Sequence, residues 1–159
     1  MTVSDPAAAS ERVEVRVLRA PLPLLEWARQ HQESLEREFR LIALATPDDS
    51  AHVTARLVAL VGELADRFGT FGQVQGAIDA AAAQGDATID LEYEVPEAAR
   101  EASLRLGALL DEADAFCRDG ELLTLATPDD CVELRRWFLG EFVAQIRGAA
   151  PTPWDRWRR

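Results

Sequence analysis

The hexapeptide Leu44-Ala45-Thr46-Pro47-Asp48-Asp49 returns unchanged as Leu125-Ala126-Thr127-Pro128-Asp129-Asp130. Each copy opens an amphipathic stretch of roughly twenty residues, the mark of an internal duplication and of a fold made from two related halves. The chemistry of the repeat is that of a helix start. A Thr hydroxyl can accept from the free amides of the first turn, Pro costs nothing at the first helical position, and two carboxylates meet the positive end of the helix dipole. Thr46 and Asp49, and Thr127 and Asp130, are therefore predicted as equivalent helix caps.

The order of elements around each copy matches as well. Arg12 to Arg19 alternates, with Val13, Val15 and Val17 on one side, as a half-buried strand does. Leu24, Ala28, His31, Leu35, Phe39 and Ile42 then draw one apolar stripe along a helix to about Leu44. After the cap, Val53, Leu57, Leu60, Val61, Leu64 and Phe68 form a second stripe that Gly69 stops. A weaker helix is predicted from Phe71 to Gln84. Ile89, Leu91, Tyr93 and Val95 form a second strand ended by Pro96, and Ala99, Ala102, Leu106, Leu109, Ala113 and Phe116 stripe the next helix. The last helix runs from about Pro128 to Arg147, with Leu134, Phe138, Phe142 and Ile146 inward. Leu57 and Phe138 fall at corresponding places after the two caps and are both expected in the core. The segment from Pro96 to Thr127 is six residues longer than that from Pro21 to Thr46, so a surface loop is expected around Cys117 to Leu122. A pseudo-twofold would set the strands antiparallel, with Arg12, Arg16 and Arg19 against Asp90, Glu92 and Glu94.

The prediction is a mainly α, single-domain bundle of about five helices with a small two-stranded antiparallel sheet, built from pseudo-repeated strand-helix-helix halves. Residues 1–11 form a mobile tail, 12–148 the domain (halves 12–69 and 87–148), and 149–159 an extended basic tail.

Composition narrows the function classes. The 159 residues carry a formal charge of -11, which repels phosphate backbones and anionic membranes, so neither nucleic acid nor membrane is an expected partner. No apolar run approaches the roughly 20 residues of a membrane span, and the start of the chain lacks a signal-peptide pattern, which points to the cytoplasm. Cys117 and Cys131 lack a Cys-x-x-Cys spacing and read as small buried hydrophobes. All 17 basic residues are Arg. With no Lys a Gly-x-x-x-x-Gly-Lys phosphate loop is impossible, and no Ser or Cys sits in a nucleophile elbow.

Other candidate groups have plainer readings. Capping accounts for the Asp pairs, and His31 and His52 lack the spacing of metal ligands, so no metal or other cofactor is expected. His31 reads as a buried, hydrogen-bonded histidine, or as the polar handle of an apolar cleft between the halves. Asp111, Glu112 and Asp114 read as the wet face of their helix. The last helix carries a surplus: Val132, Leu139 and Val143 form a second apolar face with Trp137 nearby. Such a helix is either central or half of an interface, and the interface is the preferred reading. Trp154 and Trp157, interleaved with arginines, suit an interaction arm, which makes Trp137, Val143, Trp154 and Trp157 the candidate partner-binding residues.

Ile89-Asp90-Leu91-Glu92-Tyr93-Glu94-Val95-Pro96, Leu109-Leu110-Asp111-Glu112-Ala113-Asp114-Ala115-Phe116-Cys117 and Leu122-Leu123-Thr124-Leu125-Ala126-Thr127-Pro128 resemble a family of small uncharacterised actinobacterial proteins. The resemblance runs from Val13 to Trp154 and implies a setting among partner-switching regulators: anti-sigma kinases, their antagonists and serine phosphatases. It carries over no catalytic residue. The functional expectation is a non-enzymatic cytoplasmic regulator whose partner is another protein or a second copy of the chain; the alternative is a small-molecule sensor.

Overall fold

The computed structural model describes residues 11–45, 71–120 and 122–159. Strand β1 (Arg12–Pro21) leads directly into helix α1 (Leu22–Ala45); helix α2 (Phe71–Gln84), strand β2 (Thr88–Pro96), helix α3 (Ala99–Arg118), helix α4 (Asp129–Ile146) and the single turn α5 (Trp154–Trp157) follow. The fold is mainly α, with one two-stranded antiparallel sheet. Thr46, Asp49, His52 and the stripe from Val53 to Phe68, Leu57 included, lie outside the described residues. The pseudo-repeat is accordingly not confirmed.

Alternation places Val15 and Val17 of β1 and Leu91, Tyr93 and Val95 of β2 on one buried face, with Glu14, Arg16, Glu92 and Glu94 in solvent. Val15 lies opposite Tyr93 and Val17 opposite Leu91. The expected charge matching holds only in part. Arg16 pairs with Glu92 at 3.4 Å, but Glu14 faces Glu94 and Arg12 faces Pro96. The buried apolar face, which a one-residue slip would turn to water, therefore sets the register rather than the charges. A bulge between Val17 and Ala20 leaves Leu18 and Arg19 unpaired, and Arg19 adopts φ +57°. Its amide donates to Asp90 Oδ1 at 2.6 Å, so a carboxylate replaces the lost ladder bond.

Helix α4 covers the buried sheet face with Leu134, Trp137 and Phe142. The Tyr93 ring lies edge-on to Phe138, 6.0 Å away, and tilted against Phe142 at 5.1 Å. On its other side α4 packs on α3, where a Cβ added at Gly107 would stand 3.5 Å from Leu139 Cδ1. One apolar face of α4 is thus taken up by the sheet, which gives the helix a central place, while Leu139 and Val143 of the other face stay half-buried along the seam with α3. Gln145 secures α4 to the sheet by bonding both backbone groups of Arg16: Oε1 accepts from the amide at 2.9 Å and Nε2 donates to the carbonyl at 2.7 Å. One side chain thereby satisfies part of the strand's open edge, as a neighbouring strand would.

The carboxyl-terminal segment is not an extended appendage. Gly148, at φ +92°, ends α4 in a left-handed turn closed by bonds from Gly148 N–H to Gln145 O and from Ala149 N–H to Ala144 O. The chain then doubles back. Thr152 N–H donates to the buried Glu141 carboxylate at 2.9 Å, and its carbonyl accepts from Trp137 Nε1 at 2.8 Å. Trp154 is 8% exposed and meets the Trp137 ring edge-on at 5.3 Å. Trp137 itself is 1% exposed. Trp137 and Trp154 are therefore core residues rather than partner-binding ones, because each indole finds apolar cover inside the domain and Trp137 a carbonyl for its N–H.

Candidate functional site

Asp111 meeting Arg135 and Gly107 meeting Leu139 make α3 and α4 an antiparallel pair. Because Gly107 and Gly140 lack side chains, the seam between the helices opens outward as a groove of about 380 Å3. Leu104, Leu139 and Val143 supply apolar surface, and the exposed Arg136 and Arg147 also line it. Leu104 is 48% exposed, although a leucine on an α3–α4 seam would ordinarily be covered. Neither Arg136 nor Arg147 has an ion pair among the described residues, whereas Asp111, the one carboxylate in the groove, is bound to Arg135 at 2.6 Å.

Beneath the groove lies a buried polar relay. Arg135 Nη2 bridges Asp111 Oδ1 and, at 2.8 Å, Asp114 Oδ2. Asp114 Oδ1 accepts from the Thr127 hydroxyl at 2.6 Å and from the Thr127 amide at 3.0 Å. His31 Nε2 sits 3.0 Å from the same hydroxyl. As that hydroxyl gives its proton to Asp114, it accepts from His31, which fixes the Nε2–H tautomer. Burial alone would raise the Asp114 carboxyl, but the Thr127 and Arg135 donors outweigh it and hold the group below the usual carboxylate range. Burial pushes the His31 ring down, with Asp114 opposing and Arg135 assisting, so the imidazole is neutral near pH 7. Trp27 stacks on it at 4.8 Å.

A second carboxylate holds the loop ahead of α4. Glu38 of α1 accepts from the amides of Leu123 and Thr124 and from the Thr124 hydroxyl. Although burial raises it, these donors bring the Glu38 carboxyl below its ordinary value. On the loop so clamped, Leu123 and Leu125 are 94% and 82% exposed.

These positions revise several expectations. Thr127 is not the cap of α4: Pro128 takes that place with no side-chain bond, and Thr127 turns inward to Asp114 and His31. Asp129 and Asp130 do lie in the first turn. Asp130 pairs there with Arg158, which folds the end of the chain onto α4. Asp114, read as wet, is 2% exposed. His31 does not line the groove; its polar atom is committed to Thr127. Of the four partner-binding candidates, Val143 lies in the groove, and Trp157 is 41% exposed while stacked on Trp154 at 5.7 Å. Cys117 and Cys131 are free and buried, with thiols pushed up chiefly by burial.

Among the described residues, no group of three or more His, Cys, Asp or Glu side chains is placed to hold a metal, and no helix is long and apolar enough to cross a membrane. Comparisons with protein-family models, curated proteins and solved structures give no match. The groove and the relay thus rest on their own geometry. Sequence reasoning missed Asp114, Arg135, Glu141 and Gln145. The available signal was periodicity: Asp114 lies four residues after Leu110 and three before Cys117, a second apolar line beside the stripe read from the sequence.

Proposed function

We propose that the chain is a non-enzymatic protein-interaction module of the cytoplasm, acting in the regulatory, partner-switching setting that the resemblance implies, and that the α3–α4 groove is its binding surface. The observation that carries this reading is the groove itself. It joins apolar side chains to arginines, and two of its own lining residues, Asp111 and Arg135, are held in place by their bonds to each other and to Asp114. A surface held in place before binding loses little entropy when a partner arrives. The exposed Leu123 and Leu125, on a loop tied to α1 by Glu38, add a second apolar surface of the same kind. The chemistry-bearing groups are turned to structural use: His31 donates to a hydroxyl, and both thiols are buried and protonated.

The test compares affinity capture from the native cytoplasm by the parent and by Gly140→Trp. A Cβ added at Gly140 meets no atom within 4 Å, so the backbone there accepts a side chain, and the indole of the variant occupies the groove. The reading expects a protein that the parent retains and the variant loses at equal melting temperature. Identical captures would count against it, and a small molecule that co-purifies with the parent alone would favour the sensor alternative.

A further inference from the structure

The charge of the groove differs from that of the molecule. On a chain of net charge -11, the groove carries Arg135, Arg136 and Arg147 against the single carboxylate Asp111, and Arg135 is already held by Asp111 and Asp114. Arg136 on α4 and Arg147 just past its end lie eleven residues apart, so these two cations, without an ion pair among the described residues, stand toward opposite ends of the apolar strip. Arg100 lies outside the groove lining. It precedes Leu104 by one turn on the same stripe of α3, at the Arg147 end of the antiparallel pair, and its buried Nε has no hydrogen-bond partner. The α4 wall from Arg135 to Arg147 is about 18 Å long, a little over three helical turns.

Resting on the reading of this groove as a protein-binding surface, we infer that its occupant is an acidic amphipathic helix of a partner protein. An α-helix of three to four turns matches the length of the strip, and side chains one turn apart on such a helix reach first Leu139 and then Val143 with Leu104 opposite it. Glu or Asp residues flanking that apolar stripe meet Arg136 at one end and Arg147 at the other. A basic helix is drawn to the acidic remainder of the molecule but meets unpaired cations in the groove, so the acidic occupant is selected at close range, against the long-range field. Association of the acidic partner is consequently slow for a charged pair and is not accelerated by lowering the salt.

The experiment is a selection from a displayed library of 14-residue helices, with leucine fixed on one face and the flanking positions drawn from Asp, Glu, Gln, Lys and Arg. It is run on the full chain and on three variants: Gly140→Trp, Arg136→Glu, and the double variant Arg136→Glu/Arg147→Glu. Enrichment of acidic flanks on the parent, lost on Gly140→Trp and reversed toward basic flanks on the double variant, is the expected result. Isolated acidic peptides should bind the parent about tenfold more tightly than their Lys-flanked isomers, the size of two or three partly exposed ion pairs. Basic or uncharged flanks on the parent, enrichment that survives Gly140→Trp, or no enrichment at all overturns the inference. So does a dimer of the parent that Gly140→Trp dissolves, which assigns the groove to a second copy. A captured protein that Gly140→Trp releases, together with failed acidic enrichment, removes the acidic helix while leaving the binding surface in place.

Discussion

Thr127→Val separates a helix cap from a node of the buried relay. The substitution keeps the branched shape and removes the hydroxyl, so Asp114 loses its bond at 2.6 Å and His31 its acceptor at 3.0 Å. Asp114 is 2% exposed and keeps the Thr127 amide and Arg135, which limits the damage to one charge-assisted bond and an orphaned imidazole N–H. A hydrogen bond to a buried charge contributes about 1.5–3 kcal/mol, and a loss near 2 kcal/mol is expected, or about 4–8 °C in a chain of this size. Size alone does not decide, since losing a cap costs about 0.5–2 kcal/mol. Coupling does. In a double-mutant cycle of Thr127→Val with Asp114→Asn, followed by urea denaturation with circular dichroism, the relay predicts non-additivity of about 1 kcal/mol or more, whereas a cap predicts independent effects. Additive losses, or a Thr127→Val cost below about 0.5 kcal/mol, would refute the reasoning.

Trp137→Ala should cost about 3–5 kcal/mol, and truncation after Gly148 should also lower the melting temperature, because it uncovers Trp137 and takes the Thr152 amide from Glu141; unchanged melting in either would return these tryptophans to the surface. Arg19→Gly should leave stability level or raise it by up to about 1 kcal/mol, because Gly adopts φ +57° freely and the Arg19–Asp155 pair at 3.7 Å is exposed; Arg19→Val should destabilise in the same denaturation assay. For pH, the folded His31 lies below its ordinary 6.5 and the folded Asp114 below its ordinary 3.8. The unfolded chain therefore takes up protons first. Both contributions are present above those ordinary values and are lost as pH falls through the folded ones. A pH series of melting curves should show a decline beginning below pH 6.5 and a further one beginning below pH 4.5, the ordinary value of Glu38, whose carboxyl is also lowered in the fold, and continuing below 3.8; His31→Gln should remove the first and keep the second.

Much of the fold was legible because long segments obey one period. The strand Val13–Val17, its partner Ile89–Val95, the helix Phe71–Gln84 and the stripe Leu134, Phe138, Phe142 and Ile146 follow from alternation or 3.6-residue repetition alone. What escaped depends on contacts between segments far apart in the chain. Asp114 and Arg135 are residue types that ordinarily face water, and only the approach of α1, the loop and α4 buries Asp114, with Arg135 against it, beside His31 and Thr127. Thr127-Pro128-Asp129-Asp130 holds the residues of a good cap, but a tertiary bond to Asp114 outweighed the local one. The tail misled through composition: prolines and arginines suggest an extended arm, whereas Pro151 and Pro153 flank the Thr152 that bonds Glu141 and Trp137. The groove was half visible in Val143 and Leu139, but the glycines that open it carry no pattern.

The central claim is that a protein partner occupies the α3–α4 groove, and photo-crosslinking tests it most directly. A photoreactive phenylalanine is placed at Gly140, where open space receives it, and in a control at the exposed Glu14 on the solvent face of the sheet. After irradiation in the native cytoplasm, a discrete protein adduct from position 140 and none from position 14 is the predicted result. The same adducts from both positions, no adduct from position 140, or only the mass of a small molecule added there would contradict it.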